Sequence, residues 1–132
     1  MPIVGLGIDM VSIDRIRGVL ARHPGFTSRI LTPGEAAYCA RGGTWQIASL
    51  AGHFAAKEAA AKALGTGIGA VSWQDLEVRH TNAGAPEMQL HGAAASLGNR
   101  LGCTHIHLSI SHEKEQAVAM VILEAIHVHP HK

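Results

Sequence analysis

The sequence predicts a single α+β domain of antiparallel strands and helices. Three observations predict it. The chain has 132 residues, the usual length of one domain. Its strand-like and helix-like stretches do not alternate as a doubly wound sheet requires. Its last two strand-like stretches flank a short turn, as in a hairpin.

Composition narrows the function classes. A hydrophobic fraction of 47% against 16% charged residues belongs to a packed protein rather than a disordered one. A formal net charge of +1 gives no reason to expect a nucleic-acid partner. Cys39 and Cys103 are too far apart in sequence for a zinc pair and form no disulfide framework. Asp9 and Asp14 break the first apolar run, and no stretch is long enough to cross a bilayer. A cytoplasmic protein without membrane contact is expected, with a domain over residues 1–126 and a frayed, histidine-rich tail over 127–132.

Each element follows from a local pattern. Pro2 to Ile8 reads as a strand ending at Asp9, its apolar residues alternating with Gly5 and Gly7. The glycines leave one face bare, so something is expected to approach the backbone there. From Val11 to about His23 the period is helical, with Ile13, Ile16, Val19 and Leu20 on one face and Arg15 and Arg22 together on the opposite one. Thr32-Pro33-Gly34-Glu35 has the form of a capping box with proline at the first helical position, opening a short helix that ends near Gly42 and Gly43. Thr44 is the next expected N-cap, for a helix running to about Leu64. Ser72 to Arg79 reads as a strand, residues 82–86 as a turn, Glu87 to His91 as a strand and Ala93 to Leu101 as a helix. Thr104 to Ser111 and Ala117 to Glu124 form the closing strands around the turn 112–115. Trp45 and Trp73 are expected in the core or at an interface.

The chemistry centres on HFAAKEAAAKALGTGIG, residues 53–69. Glu58 and Lys62 stand four apart, the spacing of an ordinary exposed helix salt bridge. The following Gly-Thr-Gly is no dinucleotide fingerprint, because it ends a helix rather than opening one. Gly65 could simply terminate the helix in a left-handed conformation. A helix C-terminus repels phosphate, so any phosphate bound there needs cations. Lys57 and Lys62 could supply some of that charge, and a metal held by Glu58 and a second carboxylate could supply more. Asp9 is the obvious second carboxylate, although it could equally cap the helix that follows it. Two carboxylates completed by phosphate oxygens and water are the common way to bind Mg²⁺.

Four segments together resemble the holo-[acyl-carrier-protein] synthase family, the small 4′-phosphopantetheinyl transferases. They are GLGIDMVSIDRI (5–16), FAAKEAAAKALGTGIG (54–69), WQDLEV with the GAP turn (73–78 and 84–86), and HLSISHEKEQAVAMVILE (107–124). The resemblance implies transfer of the phosphopantetheine arm of coenzyme A to a serine of an acyl carrier protein, or of a carrier domain in a fatty acid or polyketide synthase. Adenosine 3′,5′-bisphosphate would leave. It further implies Asp9 and Glu58 as Mg²⁺ ligands and Lys62 against the pyrophosphate. Lys57 would support a phosphate, with Gly65, Thr66, Gly67, Ser111 and His112 along coenzyme A. Arg15, and by its position Arg22, would face the acidic carrier. The family forms homotrimers with active sites between subunits, and the same is expected here.

Three positions depart from the family's usual pattern. His53 stands where arginine is common, exchanging a permanent cation, near the nucleotide or near a neighbouring subunit, for one that titrates near neutral pH. Ala85 removes a usual lysine or arginine from the turn, and Gln116 replaces an aromatic residue. Two other readings compete. One is a non-catalytic module binding an acidic partner through Arg15 and Arg22. The other is a zinc hydrolase built on His105 and His107, which share one face of a strand.

Overall fold

The computed structural model describes residues 2–126; the expected tail at 127–132 lies outside them. Strand β1 (Ile3–Ser12) leads into α1 (Ile13–Arg22), α2 (Phe26–Ile30), α3 (Pro33–Cys39) and α4 (Ile47–Ala63). Strands β2 (Leu76–His80) and β3 (Pro86–Leu90) form a hairpin, followed by α5 (Gly92–Arg100), β4 (His105–His112) and β5 (Gln116–Glu124). The sheet order is β1-β5-β4, all antiparallel, with β2-β3 a separate pair. This is the expected α+β architecture. No helix of the described residues is long and apolar enough to cross a membrane.

The alanine-rich helix is the centre of the molecule, not a surface helix. Leu50, Ala51, Ala55, Ala56, Ala59, Ala60 and Ala61 on α4 are each at most 1% exposed. α4 lies almost on the backbone of β1, so β1 needs glycine where the two meet. A Cβ on Gly7 would stand 1.9 Å from the Ala59 carbonyl oxygen, and one on Gly5 2.2 Å from that of Ala63. The two bare positions of β1 thus receive α4, as their alternation suggested.

Several boundaries differ from the sequence-based expectation, each for a local reason. β1 does not end at Asp9: it stays paired with β5 as far as Ser12 opposite Gln116, so Asp9 is mid-strand, opposite Ala119. Nor does Asp9 cap α1, since the Ser12 side chain accepts from the Arg15 N–H at 3.2 Å. The N-cap of α4 is Gln46, not Thr44. Its N–H is held by the Cys39 carbonyl and its side chain by that of Arg41, so the chain turns into the helix only there. Residues 73–75 form a 3₁₀ turn before β2, because Ser72 and Asp75 cap one another. The Thr32–Glu35 box is formed as expected, with both of its hydrogen bonds. The short α2 has no counterpart among the expected elements. Cys39 and Cys103 are free thiols; burial pushes the Cys39 thiol up to about 12.

Candidate active site

Asp9 owes its position to the pleat of β1. Side chains alternate between faces along a strand, so Asp9 shares with Gly5, Gly7 and Val11 the side covered by α4. Leu6, Ile8 and Met10 take the outer side, each more than half exposed. Across from Asp9, the last turns of α4 present Glu58 and Lys62. The Lys62 ammonium donates to Asp9 Oδ1 at 3.0 Å and to the Ile8 carbonyl at 2.9 Å. The helix pair with Glu58 that the spacing favours is not formed; Lys62 crosses to β1 instead. Asp9 and Lys62 are 18% and 54% exposed, so the pair lies at the surface with its carboxylate half sheltered.

Glu58 completes the group electrostatically. Its carboxyl is held above the usual carboxylate range, first by burial and then by the negative charge of Asp9, with Lys62 opposing. Asp9 holds the Lys62 ammonium directly, and Glu58 lies within electrostatic reach of both. The chemistry of this donor set fits a hard divalent cation such as Mg²⁺, which prefers oxygen ligands and leaves several positions to water and substrate.

The loop after α4 closes the helix in a Schellman arrangement. Gly65 takes φ +77°, its N–H bonds the Lys62 carbonyl at 3.0 Å, and the Thr66 N–H bonds the Ala61 carbonyl at 3.1 Å. Only glycine adopts this conformation without strain. The loop therefore begins one turn past Lys62, and its first residues follow directly on the charged group.

Lys57 corrects the sequence-based expectation. It is fully buried, and its three ammonium protons meet three acceptors: Glu35 Oε1 at 2.9 Å, the Trp73 carbonyl at 2.9 Å and the Leu76 carbonyl at 2.7 Å. Burial lowers its pKa and the Glu35 carboxylate opposes that fall. A lysine with no exposed surface and no spare proton does not support a phosphate of an external ligand. Glu35, its partner, was not among the expected site residues. It also accepts from the N–H groups of Thr32 and Val78, both at 2.7 Å.

His53 is only 2% exposed and lines a cavity of about 200 Å³ together with Tyr38, Arg41, Ser49, His80 and His112. His112 and Ser111 are neighbours on β4 and fall on opposite faces. Ser111 pairs with Val118, itself opposite Met10, which places Ser111 on the outer side of the sheet. Arg15 and Arg22 lie on α1, Arg15 exposed. Trp45 and Trp73 pack against the core as expected, Trp73 stacking on Phe54 with ring centroids 5.3 Å apart.

The zinc reading finds no support. His107 bonds Glu124 at 2.9 Å and His105 bonds the Thr104 hydroxyl at 2.9 Å. Among the described residues no three of His, Cys, Asp and Glu form a group able to hold a metal.

Comparison with known proteins adds an independent line. Residues 5–121 match the family model described as the 4′-phosphopantetheinyl transferase superfamily. A holo-[acyl-carrier-protein] synthase of Alkalilimnicola ehrlichii is 48% identical over 125 residues, covering 93% of this chain and 98% of the relative. The crystal structure of that enzyme from Neisseria meningitidis superposes with a TM-score of 0.84 at 38% identity, covering 93% of this chain and 99% of the other. The Helicobacter pylori enzyme, solved in complex with coenzyme A, gives 0.79 at 34% identity over 90% and 99% of the two chains.

Proposed function

The chain belongs to the 4′-phosphopantetheinyl transferase superfamily, among its holo-[acyl-carrier-protein] synthases, and from that premise we propose that Asp9, Glu58 and Lys62 carry its reaction. The reaction moves the phosphopantetheine arm of coenzyme A to a serine hydroxyl of an apo carrier protein, leaving adenosine 3′,5′-bisphosphate. The observation that carries the residue assignment is the juxtaposition of Asp9, Lys62 and Glu58 where α4 meets β1.

Phosphoryl transfer asks a protein chiefly for positioning and for charge placed against the transferring group. Asp9 and Glu58 would hold Mg²⁺, and a bound ion would supply Lewis-acid stabilisation of the pyrophosphate. Lys62 is already fixed at both ends of its reach, by Asp9 and by the Ile8 carbonyl. An anion arriving beside Asp9 offers its ammonium a third acceptor at little cost in side-chain order. A carboxylate of the pair would be one candidate to take the proton of the attacking serine. Gly65, Thr66 and Gly67 would lie along coenzyme A just beyond Lys62. The cavity at His53 and His112 would take its nucleotide end. A volume of about 200 Å³ suits one ring or phosphate group rather than a whole cofactor-sized molecule. Arg15 and Arg22 would meet the acidic carrier.

The assembly we propose is a homotrimer with shared sites. The outer face of the sheet supports it: Leu6, Ile8 and Met10 are 54–63% exposed and Met120, beside Ile8 in register, is 40% exposed. A contiguous apolar face of this kind marks an interaction surface. Ser111 lies on that face and Asp9 on the other, so a coenzyme A touching both kinds of residue suits a site between copies.

The test is intact-mass spectrometry of an apo acyl carrier protein incubated with the chain, coenzyme A and Mg²⁺. The expected result is a gain of one phosphopantetheine per carrier, abolished by EDTA. A gain unaffected by EDTA would overturn the metal assignment. No gain with any carrier or carrier domain would overturn the reaction itself.

A further inference from the structure

The cavity at His53 carries more titratable groups than binding a ring would require. Tyr38 and His80 stack with ring centroids 3.7 Å apart, and His53 leans on both, at 5.5 and 5.4 Å. Arg41 lies over the other part of this cluster, 4.1 Å from the Tyr38 ring centre, and donates to the Tyr38 carbonyl and the Ser49 hydroxyl. It is the wall's permanent cation. His112 completes the lining from β4.

His53 is the unusual member. Its Nδ1 lies 2.8 Å from the Ser49 carbonyl, which can only accept, so in the neutral ring Nδ1 carries the proton and Nε2 is a bare lone pair. Nε2 is buried and has no hydrogen-bond partner among the described residues. A buried acceptor without a donor is costly. Protonation would turn Nε2 into a charged donor, which an anion satisfies best. The groups around the ring are mixed. On α3, Glu35 favours the charged form, and Arg41 just beyond α3 is a further cation on the cavity wall. On α4, the Ser49 carbonyl favours the charged form and Lys57 opposes it. From β2, His80 opposes it too. Burial outweighs these and holds both His53 and His80 below the ordinary imidazole range, Arg41 adding to the effect at His80.

We propose that His53 takes up a proton when the anionic nucleotide end of coenzyme A enters this cavity, so that affinity for coenzyme A rises as pH falls. The inference rests on the reading of this cavity as the nucleotide subsite. The linkage has a definite sign. An anion beside the ring raises its pKa, and between the free and bound values each proton taken up changes affinity by about tenfold per pH unit. Below the free value the ring is already charged and affinity levels off. Above the bound value the ring stays neutral in the complex and affinity again becomes flat.

The experiment is titration calorimetry of the protein with coenzyme A from pH 5.5 to 8, in buffers of different ionisation enthalpy. A phosphate monoester itself titrates at about pH 6, so the diagnostic is the difference between wild type and variants. Wild type is expected to take up more protons than His53→Gln, by a fraction approaching one per site. Its affinity should also gain relative to that variant, by about tenfold for each pH unit between the flat regions. His53→Arg, with a permanent charge, should bind with the same pH slope as His53→Gln but more tightly above pH 7. Equal proton uptake in all three proteins would overturn the proton linkage alone. If His53→Gln and His53→Arg left affinity unchanged at every pH, the cavity would not be the nucleotide subsite. If no coenzyme A bound at any pH, the substrate reading would fail with it.

Discussion

Glu58 and Lys62 are expected to fail differently when changed. The carboxyl of Glu58 is held high by burial and by Asp9. For a carboxylate with a raised pKa the ionised form is disfavoured in the folded state, so its charge destabilises the fold above that pKa and ceases to do so as pH falls through it. Glu58→Gln should therefore raise the melting temperature slightly at neutral pH while lowering turnover by about 10²–10³-fold, the usual cost of removing a charge-stabilising group. Proton and metal compete for the same oxygens, so Mg²⁺ affinity of the unsubstituted protein should weaken at a higher pH than an ordinary carboxylate would cause. Thermal melts and Mg²⁺ titrations of activity check both; unchanged metal dependence in Glu58→Gln would rule Glu58 out as a ligand. Lys62→Ala should lower kcat by about 10²–10³-fold and leave carrier affinity within about twofold, measured by single-turnover kinetics beside carrier titration. Asp9, Glu58 and Lys62 were singled out in the sequence by the family resemblance; spacing alone offered Asp9 only as a candidate second carboxylate and paired Lys62 with Glu58 rather than with β1. The burial of Lys57 was not legible there. Its neighbour Glu58 reaches the surface, yet Lys57 stands one residue away around the helix and points into the core, and only tertiary contacts with Glu35, Trp73 and Leu76 reveal it.

At the scale of elements, the Lys57–Glu35 pair ties α4 to α3 and to the start of β2, and through α4 it fixes where Glu58 and Lys62 stand. Breaking one partner of a buried pair strands the other charge, at a cost of about 3–5 kcal/mol, whereas replacing both together costs much less. Lys57→Met is expected to lose stability on that scale in urea unfolding. The double variant Glu35→Gln with Lys57→Met should recover part of it, since the introduced amide keeps one oxygen to accept from the Val78 N–H while the Thr32 N–H loses its acceptor. A double variant no more stable than Lys57→Met would show that packing, not charge, carries the site. The capping box at Thr32 and the closing hairpin were readable because each is a local pattern. The end of β1 was not, because Met10 to Ser12 fit a strand and a helix start equally well and pairing with β5 decides between them. The 3₁₀ turn at Trp73–Asp75 was hidden for a similar reason: its alternation looks like strand, and the mutual capping of Ser72 and Asp75 overrides it. The reading of residues 53–64 as an exposed helix or a reactive one gave way to a third outcome. It lies close against Gly5 and Gly7 of β1, its later turns bring Glu58 and Lys62 to Asp9, and its earlier part brings His53 to the cavity.

For the whole molecule the question is what covers the outer face of the sheet. The inner face is sealed by α4, with Ala117, Ala119, Val121 and Leu123 of β5 at most 1% exposed. The alternate residues of β1 and β5 are just as apolar, and this face carries Leu6, Ile8, Met10 and Met120 without cover from the helices of the described residues. Burying such a face against other copies would gain about 25 cal/mol for each Å² of apolar surface removed from water, which favours association. A charge placed in the middle of that face cannot be solvated once copies meet. If the proposed trimer forms, Ile8→Arg is expected to give monomers in light scattering while leaving the circular dichroism of the fold intact, because the side chain points away from α4. If the catalytic group of one copy needs the nucleotide cavity or the outer-face Ser111 of another, the monomer should lose at least about tenfold in kcat/KM, comparable to one good contact at the transition state. Adding an excess of a second variant disabled at Glu58 should not restore it, since the introduced guanidinium blocks the same face from every partner. A monomeric Ile8→Arg protein with full turnover would mean that each chain holds a complete site, and the sharing of residues between copies would have to be abandoned while the Asp9, Glu58 and Lys62 assignment stood.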